Sequence, residues 1–260
     1  MNLTAFYSNY QYLLGFKDES NGSSFDWTSN IINYSPKLDF TWYPNNKNTL
    51  HFGAQTILYD FRPGNAVVTA EGGAKTDISL DNKYAFEHGI YIDNEQKLAP
   101  GFKIQYGIRL SAFQYMGKGY AYTFADTVPN NRKRLLSSEY YNRFETIKNF
   151  MVPEPRLSAK YELTESSSIK FSYNHTAQYI HLVSNTAAAT PLDIWTPSTN
   201  NIKPQIADQF AIGYFKNLKD NMYETSVETY YKDMKNQLDY IDNADLFLNK
   251  YLDRFYYLLF

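Results

Sequence analysis

Histidine, serine and threonine must carry any nucleophilic chemistry in this chain, because its 260 residues include four His and no Cys. Without thiols, thiolate catalysis, Cys-based zinc sites and structural disulfides are excluded together. A Ser or Thr nucleophile would need His51, His88, His175 or His181 as its base, and none of these follows a GxSxG-type elbow. In "SYNHTAQYIH", His175 and His181 share one strand face. Six residues of strand separate them by about 20 Å, too far to hold one metal, so both read as wall residues. The glycine-rich stretches "PGNAVVTAEGG" (63–73) and "GKGY" (117–120) lack the spacings that cradle phosphate. No catalytic constellation and no cofactor site emerges. The best candidate for ligand contact is "TAAATPLDIWTPSTNNIKPQ" (186–205), where Asp193, Trp195 and Asn200 combine an aromatic face with polar groups on one loop. The competing reading is a loop that packs its own Trp195 into the mouth of the fold.

The elements that would position these residues are strands throughout. A period of two is clear in "EPRLSAKYELTESSSIKFSYNHTAQYI" (154–180): Leu157, Ala159, Tyr161 and Leu163 share one face, and Arg156, Ser158, Lys160 and Glu162 the other. About nine such strands are expected, near 2–16, 29–43, 48–62, 80–97, 101–117, 149–163, 168–185, 204–218 and 222–241. The first changes phase between Phe6 and Tyr10, which predicts a bulge. Tyr and Phe, 25 and 18 of them, suit strands and interfaces. The chain carries a net charge of −2 with both signs interspersed, so nucleic acid is not an expected partner.

Two features choose between a soluble sheet and a membrane barrel. Strands of soluble proteins have a modal length of about 5–6 residues, whereas these run past ten. The connections also alternate strictly. "PNNKN" (44–48), "LAPG" (98–101), "TESSS" (164–168) and "NLKDN" (217–221) are short polar turns, and between them lie long segments at 17–28, 63–79, 118–148 and 186–203. Short turns at one end and long loops at the other mark an outer-membrane meander. The predicted fold is therefore all-β, an antiparallel up-and-down meander forming part of a transmembrane barrel. Parity places Arg109, Lys103, Arg156, Lys160, Lys170, Glu224 and Glu228 on the water-filled side. Lys216 falls on the apolar face beside a short turn, where it can snorkel. His88 and His175 fall on that face near mid-strand.

Over most of the chain, and most densely from 150 to 250, the residues resemble a known family. "EPRLSAKYELTESSSIKFSYNHTAQYIHLVSN", "PLDIWTPSTNNIKPQIADQFAIGYFKN" and "YETSVETYYKDMKNQLDYIDNADLFLN" look like TonB-dependent outer-membrane receptors, and more narrowly the Bacteroidetes-type outer membrane protein β-barrel family. The resemblance implies a barrel of about 22 strands filled by an N-terminal plug. It also implies uptake of a scarce solute such as a siderophore, vitamin or oligosaccharide, energised by the TonB complex through that plug. Outer-membrane lipid would cover the apolar face, and "NRKRLL" (131–136) could meet anionic lipopolysaccharide. Residues 1–260 are then expected to be a partial barrel domain, with neither plug nor signal peptide and no recognisable return strand after "NADLFLNKYL". Two rivals stay open: a soluble or surface β-sheet protein that binds a glycan, and a structural barrel that transports nothing.

Overall fold

The computed structural model describes residues 1–125, 133–183, 194–219, 222–240, 251 and 256–259. Its strands in chain order are β1 (Asn2–Lys17), β2 (Ser24–Asn45), β3 (Asn48–Thr69), β4 (Lys75–Ser79), β5 (Lys83–Ala99), β6 (Phe102–Met116), β7 (Gly119–Phe124) and β8 (Leu135–Tyr141). There follow β9 (Thr146–Thr164), β10 (Ser167–Gln178), β11 (Ile180–Val183), β12 (Ile194–Pro197), β13 (Gln205–Leu218), β14 (Tyr223–Lys235), β15 (Gln237–Tyr240) and β16 (Tyr256–Leu259). A ten-stranded sheet runs β1-β2-β3-β5-β6-β9-β10-β13-β14, with β4 paired to β3. Every pairing in it is antiparallel. The nine strands of that path are the nine expected from the alternation. Three small hairpins, β7-β8, β11-β12 and β15-β16, stand apart from it. All three arise at the long-loop end; among the described residues the opposite end has only the short turns at 46–47, 100–101 and 165–166, with β13 ending at Leu218 and β14 starting at Tyr223.

Register turns the alternation into two continuous surfaces. Leu38, Ala54, Ile90, Leu110 and Pro153 follow one another across β2, β3, β5, β6 and β9, and Tyr106, Leu157, Tyr173, Phe210 and Tyr231 across β6, β9, β10, β13 and β14. This outer face is apolar yet exposed: Ile90 is 59% and Val227 76% accessible. On the inner face, Phe113 is 1% accessible, because β11-β12 lies over it. Two clusters fill the inner face toward the long-loop end. One joins Trp27, Ala66 and Ile202 to Tyr12, Leu14 and Leu80. The other joins Ile31, Tyr59, Phe61, Phe113 and Tyr179 to Trp195.

Several boundaries differ from expectation. No bulge interrupts β1, which keeps one register with β2 from Asn2↔Asp39 to Lys17↔Ser24. Its phase change has another cause. Leu3 and Tyr7 belong to the outer face, with Tyr7 5.3 Å from the Tyr34 ring, whereas Tyr12 and Leu14 pack inward on the Trp27 cluster. The nearest irregularities lie between β2 and β3, at Thr28/Asn30 and Trp42/Asn45, with others in the β5-β6, β6-β9 and β9-β10 pairings. The seventh long strand stops at Gln178 rather than 185, because Tyr179 turns inward and its hydroxyl meets Ser111 Oγ at 2.7 Å. The ninth stops at Lys235; Asn236, at φ 58°, deflects the chain into β15. After "NADLFLNKYL" the short β16 pairs with β15, Gln237 opposite Leu259, in a hairpin apart from the wall; among the described residues no strand returns along β14.

Candidate functional site

The inner face carries three layers of different chemistry. Nearest the long loops, β11-β12 sits in the mouth against β3. It is tied down by Tyr179, whose ring stacks on Phe113 at 4.8 Å, and by Ser198 N donating to Tyr179 O at 2.7 Å. His181 Nε2 lies 2.9 Å from Ser198 Oγ, and burial lowers the imidazole pKa to about 4. Trp195, opposite Leu182, packs against the cluster around Phe61 and Phe113. Asn200 is exposed; its amide donates to the Tyr122 carbonyl of β7 at 2.8 Å, as does that of Asn201. Asp193 lies outside the described residues. Trp195 and Asn200 thus both brace the mouth, one inside it and one at its rim.

The middle layer is ionic. Arg109 on β6 reaches Glu87 on β5 at 3.4 Å and Glu154 on β9 at 3.7 Å; Arg156 also meets Glu154, at 3.3 Å. Tyr59 on β3 donates to Glu87 at 3.1 Å. Gly89 lies directly beside this cluster, and a Cβ there would displace the Arg109 guanidinium from its present position. Further along, Lys37 pairs with Asp39 at 3.0 Å, Tyr91 bonds Asp39, and Gln105 donates to Asp93 at 3.1 Å. Of these groups, Lys37, Tyr91, Asp93, Gln105, Arg109 and Arg156 border a hollow of about 380 Å³. Each cation in it faces a carboxylate, so the layer offers a solute hydrogen bonds without a strong net field. Sequence parity placed Arg109 and Arg156 on this face, but not their partners: Glu87 and Glu154 become neighbours of Arg109 only through the β5-β6-β9 register, which closes across residues 117–145.

The third layer, next to the short turns, holds Lys97, Lys103, Lys160 and Lys170. The other charges expected on the wet side, Glu224 and Glu228, also share the inner parity, on β14. Lys216 is outer-facing beside the short turn, as expected. His88 is outer-facing, exposed, and 3.1 Å from Thr56 Oγ1. His175 is outer-facing but not mid-strand, because β10 ends three residues later; its Nδ1 lies 2.7 Å from Asp208. His181 stands in the mouth hairpin, away from His175, and no cluster of three or more potential metal-ligating His, Cys, Asp or Glu occurs among the described residues.

An exposed apolar belt backed by a polar, partly filled interior is the inverse of a soluble fold and the pattern of a barrel wall. A family model described as "TonB dependent receptor-like, beta-barrel" matches residues 1–257. The chain belongs to this receptor family. Its outer face is therefore the lipid face of an outer-membrane barrel, and the short turns lie at the periplasmic end.

Among solved structures, the receptor wall is similar to the copper transporter OprC, at TM-score 0.60 and 11% identity over 91% of this chain and 36% of that one. It is also similar to the ferric-catecholate import receptor Fiu from K12 E. coli, at 0.53 and 15% over 93% and 39%. The FrpB iron transporter from Neisseria meningitidis gives 0.52 and 12% over 92% and 37%. Such identities show the shared fold alone. No curated protein matches in sequence. The chain spans little more than a third of the length of these solved receptors, and neither they nor the family model separates out a Bacteroidetes subgroup.

Proposed function

We propose that this chain is the wall and outward loops of a receptor that imports a scarce solute, driven from the inner membrane by the TonB complex acting through a plug. The observation that supports it best is the division of one sheet into an unbroken lipid belt and a polar inner hollow, with a folded hairpin in the mouth. A soluble glycan-binding sheet has no use for the belt, and a purely structural barrel has no use for the hollow. The residues act by binding and positioning, without bond-making chemistry, so the receptor is not an enzyme. Trp195 and Asn200 enter as anchors that hold the mouth hairpin and present the 186–205 loop, Asp193 included, to the solute. Siderophores, vitamins and oligosaccharides are the solute classes in view.

The test is uptake by the intact gene product in its own host. Cells lacking the gene, and cells complemented with it, are supplied with labelled ferric siderophore, cobalamin or oligosaccharide as limiting nutrient. Loss of accumulation of one class, restored on complementation and abolished by de-energising the inner membrane, is the expected result. Unchanged accumulation of every class, with the protein still heat-modifiable in the outer membrane, would leave only the structural barrel.

A further inference from the structure

The connection between β1 and β2, at the end away from the periplasmic turns, carries the chain's one Asn–Gly pair, Asn21–Gly22. Such a pair can react with itself, because glycine adds no side chain to hinder its nitrogen as it approaches the asparagine amide carbon. Here that amide is held in a fixed pose. Asn21 Oδ1 accepts from Ser23 N at 2.9 Å and from Ser23 Oγ at 2.6 Å, an Asx-type turn. The nitrogen of the same amide donates to the Asp18 carboxylate, which Ser20 Oγ and Ser20 N also hold, at 2.6 and 2.9 Å. The Ser20 bonds keep the Asp18 carboxyl below the ordinary carboxylate range, so it is ionised. Asp18 N donates to Ser23 O at 2.8 Å and Gly22 N to Asp18 O at 2.9 Å, which closes the loop. Gly22 adopts φ 75°, a conformation that suits glycine, and no atom lies within 4 Å of where its Cβ would be. Asn21 and Gly22 are both exposed, so water and hydroxide reach them freely.

We propose that this turn is a self-modification site, at which Asn21 loses its side-chain amide to water by way of a cyclic imide. The Gly22 nitrogen gives its proton to hydroxide as its bond to Asp18 O opens, and it attacks Cγ of Asn21. The N–Cγ bond forms while negative charge gathers on Oδ1, where the two Ser23 donors already sit. Donors set in advance at a developing oxyanion lower such a barrier. The Cγ–Nδ2 bond then breaks, and the nitrogen leaves as ammonia after taking a proton from water. Its growing positive charge faces the Asp18 carboxylate. Water next opens the imide. Cleavage at Cγ gives aspartate; cleavage at the α-carbonyl gives isoaspartate, whose main chain is one carbon longer. No oxidant, metal or second protein takes part. Either product sets a new carboxylate beside Asp18, and the isoaspartyl form also disturbs the closure between Asp18 and Ser23. The change is confined to the outward tip of the β1-β2 hairpin and leaves the lipid belt untouched.

The experiment uses the intact gene product in isolated outer membranes, incubated at mildly alkaline pH in heavy-oxygen water. Digestion with mass spectrometry locates the label, and an isoaspartyl methyltransferase reports the β-linked product. Heavy oxygen at position 21, entering faster as pH rises, is the expected result. Isoaspartate should exceed aspartate, because the α-carbonyl beside the nitrogen of residue 21 is the more electrophilic. Ser23→Ala keeps the Asn–Gly pair but removes the hydroxyl donor, and should slow conversion severalfold. Gly22→Ala should all but abolish it. Conversion confined to protein unfolded in denaturant would show that the turn protects Asn21, and that overturns the proposal without recourse to any variant. A Ser23→Ala rate equal to the unaltered one, in protein that still migrates as heat-modifiable, overturns it as well, because the dipeptide alone would then account for the reaction. Failure of the uptake test leaves each of these outcomes as it stands.

Discussion

Arg109 shows how much of the wall depends on single charged groups. It lies between Glu87 and Glu154, and the Glu154 side chain is 6% accessible, so removing the guanidinium leaves a buried carboxylate with only Arg156 at its edge. Breaking a buried ion pair from one side costs about 3–5 kcal/mol. Arg109→Leu should therefore lower the heat-modification midpoint markedly, and adding Glu154→Gln should restore part of it; an additive further loss would show that the two residues act apart. His181 makes a different demand. Burial holds its pKa near 4, below the ordinary value of 6.5, so the docked hairpin requires neutral imidazole. Its docking is unaffected above pH 6.5 and weakens as pH falls from there toward 4, by roughly 1.4 kcal/mol per unit. The Trp195 contribution to fluorescence, taken as the difference from Trp195→Phe, should shift to the red in acid. With His181→Gln that acid limb should vanish. A Glu or Asp source of the transition would leave it unchanged.

At the scale of the strand, parity does the work, and this is where the sequence was most legible. Nine long strands, most of their faces and the side bearing short turns follow from alternation, because lipid on one face and water on the other impose a period of two. What alternation could not show is where a strand leaves the wall. Tyr179 and Asn236 continue the pattern of their strands, yet one bonds Ser111 68 residues earlier and the other adopts positive φ. Such contacts between distant segments leave no local trace. The same blindness hid the partners of Arg109, while Trp195 could be singled out because a lone tryptophan in a polar loop stands out by composition. Parity itself is testable on β6. Tyr106 is outer-facing and 45% accessible, and its neighbour Gln105 bonds Asp93 inside. Arg at mid-bilayer costs about 2–4 kcal/mol on the lipid face. Tyr106→Arg should thus reduce the amount assembled in the outer membrane far more than Gln105→Arg; equal effects would refute the assignment of faces.

For the molecule as a whole, strand count decides what this stretch of wall can do unaided. Along the path from β1 to β14 nine strands alternate in direction, so the two edge strands run the same way. Closing them on each other would require a parallel pair in a sheet whose every other pairing is antiparallel, which bacterial barrels avoid by having even numbers of strands. Among the described residues no further strand pairs with the outer edges of β1 and β14, and backbone groups left unpaired in hydrocarbon cost several kcal/mol each. They must be met by further strands. A polypeptide limited to residues 1–260 should on this argument fail to give a heat-modifiable monomer on refolding into detergent or vesicles, and should instead associate through its edges, as light scattering and migration on unheated gels would report. A monomer that resists denaturant until heated would mean that β1 and β14 meet after all, and the antiparallel wall described here would have to be redrawn at that seam.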